Sequence, residues 1–322
     1  MSEAPMSELN APEVRFEVRD RVGVVTLDRP RAINALTHAM VLDIERTLLA
    51  WADDDAVARV RFEGAGERGF CSGADVRALR DQVLSGGDQA VQFFTDEYRL
   101  NALITHYPKP THAVMTGITM GGGMGLSVHC RSREGDRTTQ LAMPETTIGL
   151  FPDVGALFPL SRMPGRTGEW MALTGASVDA SSALWAGLLT EVDELETHPD
   201  SSALARARGW IDECFSAESA PEILARLREY GASGAGEAAD LLAAKSPLSV
   251  AVTLQALRRA RSMSTVDEVL AQDLALATRF MTGDSDFVEG VRAQLVDKDR
   301  SPTWRHASLD EVSAAEVDAF FG

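Results

Sequence analysis

The chain has 322 residues, of which 45% are hydrophobic and 25% charged, and it carries a net charge of −17 at pH 7. This length and composition indicate a globular protein with a sizeable core, built as one large domain or as one domain with a smaller appendage. The negative charge argues against nucleic acids and anionic membrane surfaces as partners, but it does not exclude a phosphorylated ligand, which needs only basic side chains or helix N-termini gathered locally. No apolar run approaches the ~18 residues of a membrane-spanning helix.

Cysteine use and the N-terminus bear on the cellular compartment. The three cysteines, Cys71, Cys130 and Cys214, show no Cys-x-x-Cys spacing, so neither a disulfide framework nor a zinc cluster is predicted. Residues 1–12 are polar and lack the basic and apolar regions of a secretory signal. These features predict a cytoplasmic location.

The first elements predicted along the chain are a β-hairpin and an amphipathic helix. Apolar residues recur at strand spacing in residues 14–18 and 22–27, on either side of Arg19-Asp20-Arg21. Thr37 is suited to cap the helix that follows. The face that this helix would bury has 3.6-residue spacing and consists of Val41, Ile44, Leu48 and Trp51.

Strand, turn and helix patterns then alternate as far as about residue 189. Strands are predicted at residues 57–62 and 111–115, and each is followed by a segment rich in glycine or serine. The pattern predicts a mixed α/β core whose turns carry the functional groups. From about residue 199 the chain is predicted to be helical, with residues 230–237 as a linker.

Two glycine-rich turns each follow a predicted strand. One is Cys71-Ser72-Gly73-Ala74-Asp75, and the other is Gly121-Gly122-Gly123, which opens a predicted helix. Consecutive glycines are tolerated where a ligand approaches the main chain, and free N–H groups at a helix start suit an oxyanion or a phosphate. Tight packing turns without a ligand are the alternative. Neither turn has the lysine of a nucleotide P-loop or the spacing of a dinucleotide site.

Two acids lie in apolar surroundings. Glu145 follows Leu-Ala-Met-Pro, and Asp153 follows Ile-Gly-Leu-Phe-Pro. Either acid alone is equally suited to cap a turn, but the pair favours one pocket, where crowded carboxylates raise each other's pKa and can transfer protons near neutrality. The six histidines show no metal-ligand spacing, and no Gly-x-Ser-x-Gly motif supports a serine-hydrolase triad.

Several of these segments resemble the crotonase (enoyl-CoA hydratase/isomerase) superfamily. Residues 28–36, Asp-Arg-Pro-Arg-Ala-Ile-Asn-Ala-Leu, are similar to its N-terminal signature, and residues 69–75 and 117–125 are similar to its two oxyanion-hole turns. Residues 94–98, 143–155 and 287–304 resemble the 3-hydroxyisobutyryl-CoA hydrolase branch. The resemblance implies an α/β fold, with a crotonase-type spiral of repeated ββα units in residues 12–200 and a helical C-terminal region in residues 201–322.

The resemblance also implies a site. Backbone N–H groups of Ser72 and Gly122 would form the oxyanion hole, Glu145 would be the main catalytic carboxylate, and Asp153 would be a second catalytic acid. The substrate-binding residues that it implies are Glu97, Gly121, Ala32, Ile33, Gly73, Ala74 and Asp75. Gly125 occupies the place of the second catalytic glutamate of hydratases, which argues against water addition by two glutamates.

The implied activity is hydrolysis of a short branched 3-hydroxyacyl-CoA thioester, as in valine degradation. The partner is then an acyl-CoA thioester, and the reaction needs no metal and no cofactor beyond the CoA of the substrate. A trimer or hexamer is expected from crotonases, although the hydrolase branch need not form one. Two alternatives stay open: an enoyl-CoA hydratase or an enoyl- or dienoyl-CoA isomerase on the same fold, and a CoA-binding protein without turnover.

Two segments depart from the hydrolase pattern. Thr116 stands where the hydrolases usually have histidine. Residues 131–136, Arg-Ser-Arg-Glu-Gly-Asp, are far more polar than the apolar strand expected there. The second departure predicts altered local geometry or altered specificity.

Overall fold

The computed structural model describes residues 12–193, 198–283 and 285–322. The polar N-terminal segment, on which the prediction of no secretory signal depends, lies outside these ranges except for Pro12. Within them, no helix is both long enough and apolar enough to cross a membrane.

The strands in the described residues form two sheets. They are β1 (Val14–Arg19), β2 (Val22–Leu27), β3 (Arg59–Gly64), β4 (Thr111–Val114), β5 (Ile118–Met120), β6 (Ser132–Gly135), β7 (Gln140–Ala142), β8 (Val178–Asp179) and β9 (Glu191–Val192). The large sheet has the order β1-β2-β3-β4-β6-β9, and the small sheet has the order β5-β7-β8. Only the β1–β2 and β7–β8 pairs are antiparallel.

The predicted hairpin and the helix after it are confirmed. Strands β1 and β2 pair from Val14 opposite Leu27, and Asp20 and Arg21 in the turn have φ of 48° and 63°. Positive φ at both central residues gives a two-residue turn the twist that the strands require. Helix α1 (His38–Ala52) begins where Thr37 Oγ1 accepts a hydrogen bond from the Met40 N–H, and its predicted apolar face is buried.

The central chain alternates between the two sheets. Strand β4 joins the large sheet and β5 the small one, and α4 (Gly122–Ser127) follows. Strands β6 and β7 repeat this order, and a 3₁₀ turn, Glu145–Ile148, follows them. This alternation is the predicted spiral of ββα units, and it brings the turns after β5 and β7 to one end of the small sheet.

The polar segment 131–136 forms β6, between β4 and β9. The Arg133 guanidinium donates to the carbonyl groups of Leu188, Cys130 and Gly187, and Glu134 lies beside His112 of β4. These contacts replace the apolar packing that the resemblance leads one to expect, so the strand forms without it.

The remaining helices cover the sheets and make up the C-terminal part. They are α2 (Val76–Ser85), α3 (Gln89–Thr105), α5 (Leu157–Leu160), α6 (Thr167–Thr174), α7 (Ala180–Trp185), α8 (Ala203–Cys214), α9 (Ala220–Glu229), α10 (Ser233–Ala243), α11 (Pro247–Ala260), α12 (Val266–Thr282), α13 (Phe287–Val291) and α14 (Ala314–Phe321).

The helical C-terminal part is observed, but the linker predicted within it is wrong. Gly234 and Gly236 lie inside α10, and only Gly231, with φ of 80°, is in a turn. Gly236 has no positive φ, and a Cβ added to it would meet nothing within 4 Å, so this helix position does not require glycine. Where one domain ends and the next begins stays a prediction; in the described residues the last strand is β9 and the first helix after residue 200 is α8.

The C-terminal part also supports the 3₁₀ turn that carries Glu145. Helix α13 packs against this turn and against α2. Gly149, which ends the turn, has φ of 70°, and a Cβ there would lie 2.3 Å from the Asp286 carbonyl carbon. Glycine is therefore required at this position both for its conformation and for the close approach of α13.

Candidate active site

Glu145 is the first residue of the 3₁₀ turn and points into a cavity of about 870 Å³. The residue is buried, with 6% exposure, and its Oε2 atom has no hydrogen-bond partner among the described residues. Burial raises the pKa of the Glu145 carboxyl well above its ordinary value, and the charges of Asp153 and Glu97 raise it further. A buried carboxyl without a partner is suited to proton transfer rather than to structural support.

The two glycine turns meet beside Glu145. A Cβ added to Gly121 would lie 2.9 Å from Glu145 Oε1, and one added to Gly122 would lie 3.4 Å from Ala74 N. The N–H groups of Ala74 and Gly122 donate to no residue that the structure describes. Two free N–H groups next to a buried acid form an arrangement that can hold a carbonyl oxygen as it becomes an oxyanion.

The prediction that Ser72 supplies one of these N–H groups is wrong. The Ser72 N–H donates to the Ile33 carbonyl at 2.8 Å, and its hydroxyl donates to the Ala32 carbonyl at 3.1 Å. Ala74, two residues later, is the residue of this turn whose N–H is free and faces Gly122. The sequence motif identifies the turn, but only the hydrogen bond from the neighbouring segment shows which N–H is already used.

Two further acids lie in the same cavity. Glu97 of α3 is 1% exposed, and its Oε1 atom has no partner among the described residues. Asp153 accepts a hydrogen bond from the Tyr98 hydroxyl at 2.6 Å. Burial and the charge of Asp153 raise the pKa of Glu97, and burial raises that of Asp153 to about 7 although the Tyr98 hydrogen bond lowers it. Tyr98 is a contact that the sequence interpretation did not single out, although it belongs to the segment 94–98 that carried the resemblance.

The cavity gathers most of the predicted substrate-binding residues, but not all. Ala32, Ser72, Gly73, Ala74, Asp75, Glu97, Gly121 and Gly122 line it together with Glu145 and Asp153. Ile33 does not line it; its φ is 47°, and its carbonyl group holds the Ser72 N–H instead. Asp75 lies at the wall, where its carboxylate accepts from the Arg29 guanidinium and caps α2.

Gly125 lies against the turn that carries Asp153. A Cβ at this position would lie 2.7 Å from Val154 Cβ and 2.9 Å from Asn101 Nδ2. These distances leave no room for a glutamate side chain. The position at which hydratases place their second glutamate is therefore closed by Val154 in this chain.

One group of a histidine and two glutamates was not predicted from the sequence. His112 Nε2 lies 2.9 Å from Glu134 Oε2, and Glu191 of β9 brings a third ligand atom within 4.8 Å of the other two. The sequence interpretation, which found no grouping of histidines, missed this set because its residues come together only through the pairing of β4, β6 and β9. None of the three lines the cavity, and a cross-strand pair on the half-buried outer face of the sheet accounts for the contact.

The unpartnered Glu97 gives a stability prediction. Its pKa is raised in the folded chain, so the folded state binds more protons than the unfolded state between the ordinary pKa and the raised one. The stability that this proton binding contributes is therefore lost as the pH rises through that range. At pH 8, the free energy of unfolding of Glu97→Gln should exceed that of the wild type by about 1–3 kcal/mol, and the variant should unfold at a higher temperature. Near pH 4 the two proteins should be equally stable.

Thermal unfolding of both proteins from pH 4 to pH 8 measures this difference. Glu169→Gln is the matched control, because Glu169 is an equally buried acid that forms salt bridges with Arg166 and Arg261. The control should lose stability at pH 8. A Glu97→Gln variant less stable than the wild type at pH 8 would show that Glu97 has a stabilising partner.

The fold is that of the crotonase superfamily, and its two-sheet spiral brings two glycine-rich turns to one cavity. The chain belongs to the enoyl-CoA hydratase/isomerase family, because the sequence model of that family matches residues 22–199 and 189–321. Among curated relatives, the mitochondrial 3-hydroxyisobutyryl-CoA hydrolase of Danio rerio is 38% identical over 98% of this chain and 91% of its own length. The corresponding protein of Homo sapiens is 37% identical over 97% and 89%.

Solved structures with other titles are equally similar. A carnitinyl-CoA dehydratase from Mycobacterium thermoresistibile is 41% identical with a TM-score of 0.92, and the match covers 97% of both chains. An enoyl-CoA hydratase from Rhodobacter sphaeroides 2.4.1 is 36% identical with a TM-score of 0.91, over 96% of this chain and 97% of its own. The curated relatives therefore support a thioester hydrolase, and the acid groups of the site distinguish hydrolysis from hydration.

Proposed function

We propose that this protein hydrolyses a short branched 3-hydroxyacyl-CoA thioester, with 3-hydroxyisobutyryl-CoA as the substrate and valine degradation as its setting. The observation that carries the proposal is the composition of the acid site. Glu145 and Asp153 face one cavity. The position that corresponds to the second glutamate of hydratases is Gly125, and Val154 leaves no space there for a larger side chain. The names of the curated relatives support the same reaction.

In the proposed reaction the thioester carbonyl oxygen accepts from the N–H groups of Ala74 and Gly122. Ionised Glu145 takes a proton from water, the water oxygen bonds to the carbonyl carbon, and the oxyanion forms in the hole. Collapse of this intermediate breaks the carbon–sulfur bond, and the proton held by Glu145 passes to the departing thiolate. In the alternative route an ionised Glu145 oxygen bonds to the carbonyl carbon and the carbon–sulfur bond breaks, so that CoA leaves as a thiolate and takes its proton from water. Water then cleaves the acyl-enzyme anhydride, which releases the acid and restores the Glu145 carboxylate.

Neither route requires a metal or a cofactor beyond the CoA of the substrate. Four arginines line the cavity. Arg29 is paired with Glu13 and Asp75, and Arg31, Arg77 and Arg300 provide positive charge for CoA phosphates in an otherwise acidic protein. Arg292, on the same C-terminal stretch as Arg300, is held by Glu289, Asp297 and Asp299. We assign phosphate contact to Arg300 rather than to Arg292 for this reason.

A panel of acyl-CoA thioesters tests the proposal by release of free thiol. Hydrolysis liberates CoA, whereas hydration and double-bond isomerisation keep the thioester intact. Rapid thiol release from 3-hydroxyisobutyryl-CoA supports the proposal. Consumption of an enoyl-CoA without thiol release would make the protein a hydratase, like the similar enoyl-CoA hydratase structure, or an isomerase. Tight binding of the thioester with neither reaction would make it a CoA-binding protein.

The substrate hydroxyl gives a second test, at Asp153. The Asp153 Oδ2 atom accepts a hydrogen bond from the Tyr98 hydroxyl. Asp153 lines the same cavity as Glu145, where its carboxylate can accept a hydrogen bond from the 3-hydroxyl of the acyl group. A buried acceptor left without its donor is unfavourable, so an acyl group lacking the hydroxyl should react poorly. Asp153→Asn should lower kcat/KM for 3-hydroxyisobutyryl-CoA by about 10²-fold and narrow the preference over isobutyryl-CoA.

The measurement is kcat/KM for both thioesters in the wild type and in the variant. A wild-type protein without preference for the hydroxylated substrate would remove the hydroxyl-binding role from Asp153.

The cytoplasmic location and a trimeric or hexameric state stay predictions. The similar hydrolases carry the word mitochondrial in their names. Sedimentation of the purified protein measures the number of subunits.

A further inference from the structure

The turn that carries Asp153 has an unfavourable backbone conformation. Val154 has φ of 55° and Gly155 has φ of 74°, and Val154 is 1% exposed. A β-branched residue is rarely found in the left-handed region, and such a residue stays there only where its surroundings hold it. The turn between Pro152 and α5 therefore needs fixed partners.

Two titratable side chains supply these partners. The Gly155 N–H donates to Asp273 Oδ2 at 2.8 Å, and His129 Nε2 lies 2.7 Å from the Val154 carbonyl oxygen. A carbonyl oxygen only accepts, so His129 Nε2 carries the proton. Both come from distant parts of the chain, His129 from the segment after α4 and Asp273 from α12. Neither side chain lines the cavity.

Asp273 is a costly residue to bury for a purely structural purpose. It is 0% exposed, and its Oδ1 atom has no partner among the described residues. Burial and the charge of Asp153 raise the pKa of Asp273 well above its ordinary value. His129 is neutral for a related reason, because burial lowers its pKa to about 4. Unsatisfied buried acids destabilise a fold, so the hydrogen bond to the turn is the feature that Asp273 provides.

We propose that His129 and Asp273 are positioning residues, which hold the Asp153-Val154-Gly155 turn so that the Asp153 carboxyl points into the cavity. Asp153 is then fixed from three sides: Tyr98 holds its carboxylate, His129 holds the next carbonyl, and Asp273 holds the second N–H after it. The proposal rests on the proposed function, since it gives Asp153 its task at the acyl group. Neither residue touches the substrate.

The test compares two substitutions at Asp273. Asp273→Ala removes the acceptor of the Gly155 N–H, and we expect kcat/KM for 3-hydroxyisobutyryl-CoA to fall by about 10²-fold, the usual effect when a substrate-positioning group is misplaced by about an ångström. The loss should be much smaller for isobutyryl-CoA, which lacks the hydroxyl. Asp273→Asn keeps an amide oxygen that can accept from Gly155, so it should restore most of the activity. His129→Gln keeps a donor for the Val154 carbonyl, so its kcat/KM for 3-hydroxyisobutyryl-CoA should likewise be higher than that of His129→Ala.

A double-mutant cycle separates positioning from general support of the fold. In an Asp153→Asn background, Asp273→Ala should cause little further loss, because the carboxyl that it orients is already gone. Glu169→Gln is the control for a destabilised buried acid away from the cavity, and it should lower the unfolding temperature without changing the substrate preference. Equal losses from Asp273→Ala in both backgrounds, or an unchanged preference between the two thioesters, would overturn the proposal.

Failure of the proposed function gives a different result. If the wild-type protein releases CoA from no thioester, the dissociation constants of 3-hydroxyisobutyryl-CoA and isobutyryl-CoA replace the kinetic readout. Asp273→Ala should then reduce the preference for the hydroxylated ligand. Identical binding preferences in the wild type and in this variant would overturn the positioning of Asp153 independently of catalysis.

Discussion

Glu145→Gln should lower kcat for thioester hydrolysis by about 10²–10⁴-fold, the range that a positioned general base contributes. The amide has nearly the same shape as the carboxylate, but it can neither take a proton from water nor attack the carbonyl. Because Glu145 Oε2 has no partner among the described residues, the substitution breaks no hydrogen bond there. Burial and two neighbouring acids disfavour its charge, so the variant should be at least as stable as the wild type at pH 8.

Steady-state kinetics and thermal unfolding on the same preparations test both expectations. Near-wild-type hydrolysis by Glu145→Gln would assign the chemistry to another group, and Asp153 and Glu97 are the other buried acids of the cavity. The two routes for Glu145 are separated by a single turnover of the wild type in ¹⁸O-labelled water with enzyme in excess. Attack by Glu145, followed by addition of water to the glutamyl carbon of the anhydride, places the label in the Glu145 carboxyl, whereas general-base catalysis places the label in the released acid. Label found in Glu145 after one turnover therefore identifies the nucleophilic route.

Gly122→Ala should lower kcat by about 10²–10³-fold, the usual effect of losing one oxyanion donor. The added Cβ would lie 2.6 Å from Glu97 Oε1, 3.1 Å from Leu36 Cδ1 and 3.4 Å from Ala74 N, so either the Glu97 side chain or the N-terminus of α4 is displaced from the oxyanion site. The φ of Gly122 is not positive, so the loss comes from this displacement rather than from backbone strain.

Gly209→Ala is the matched control, because Gly209 lies within α8 and an added Cβ would meet nothing within 4 Å. It should keep full activity and gain slightly in stability, as alanine usually does in a helix. Circular dichroism of Gly122→Ala should show a folded protein. Unchanged turnover in that variant would remove the Gly122 N–H from the oxyanion hole.

Under the proposed function, this site differs from that of a hydratase in the position of its second acid. Gly125 packs against Val154, and Asp153, next to Val154, lines the cavity. The turn that closes the hydratase position is therefore the same turn that introduces the new acid. Large activity differences between chains of such similar fold become understandable, because a few residues in one turn replace the groups around the acyl chain.

The amino-acid sequence by itself determined the elements that depend on neighbouring residues. The hairpin follows from the period-2 pattern of β1 and β2, and α1 follows from its Thr37 cap and 3.6-residue apolar face. The two glycine turns and the acids Glu145 and Asp153 were also visible, because glycine and buried acids stand out in apolar runs. The resemblance to crotonases then joined these pieces into one spiral, which local patterns alone did not specify.

Only the tertiary structure decided which of these groups are free to act. The sequence does not show whether the N–H group of Ser72 or that of Ala74 is free. In the structure the Ser72 N–H donates to the Ile33 carbonyl, and the Ala74 N–H faces Gly122. Asp273 and His129 reach the Asp153 turn from segments far away in the chain. Hydrogen-bond partners and burial depend on which distant segments pack together, whereas strand and helix periods depend on adjacent residues. The sequence therefore determined where the turns and acids lie, and long-range packing determined which N–H groups, carboxyls and pKa values make the site.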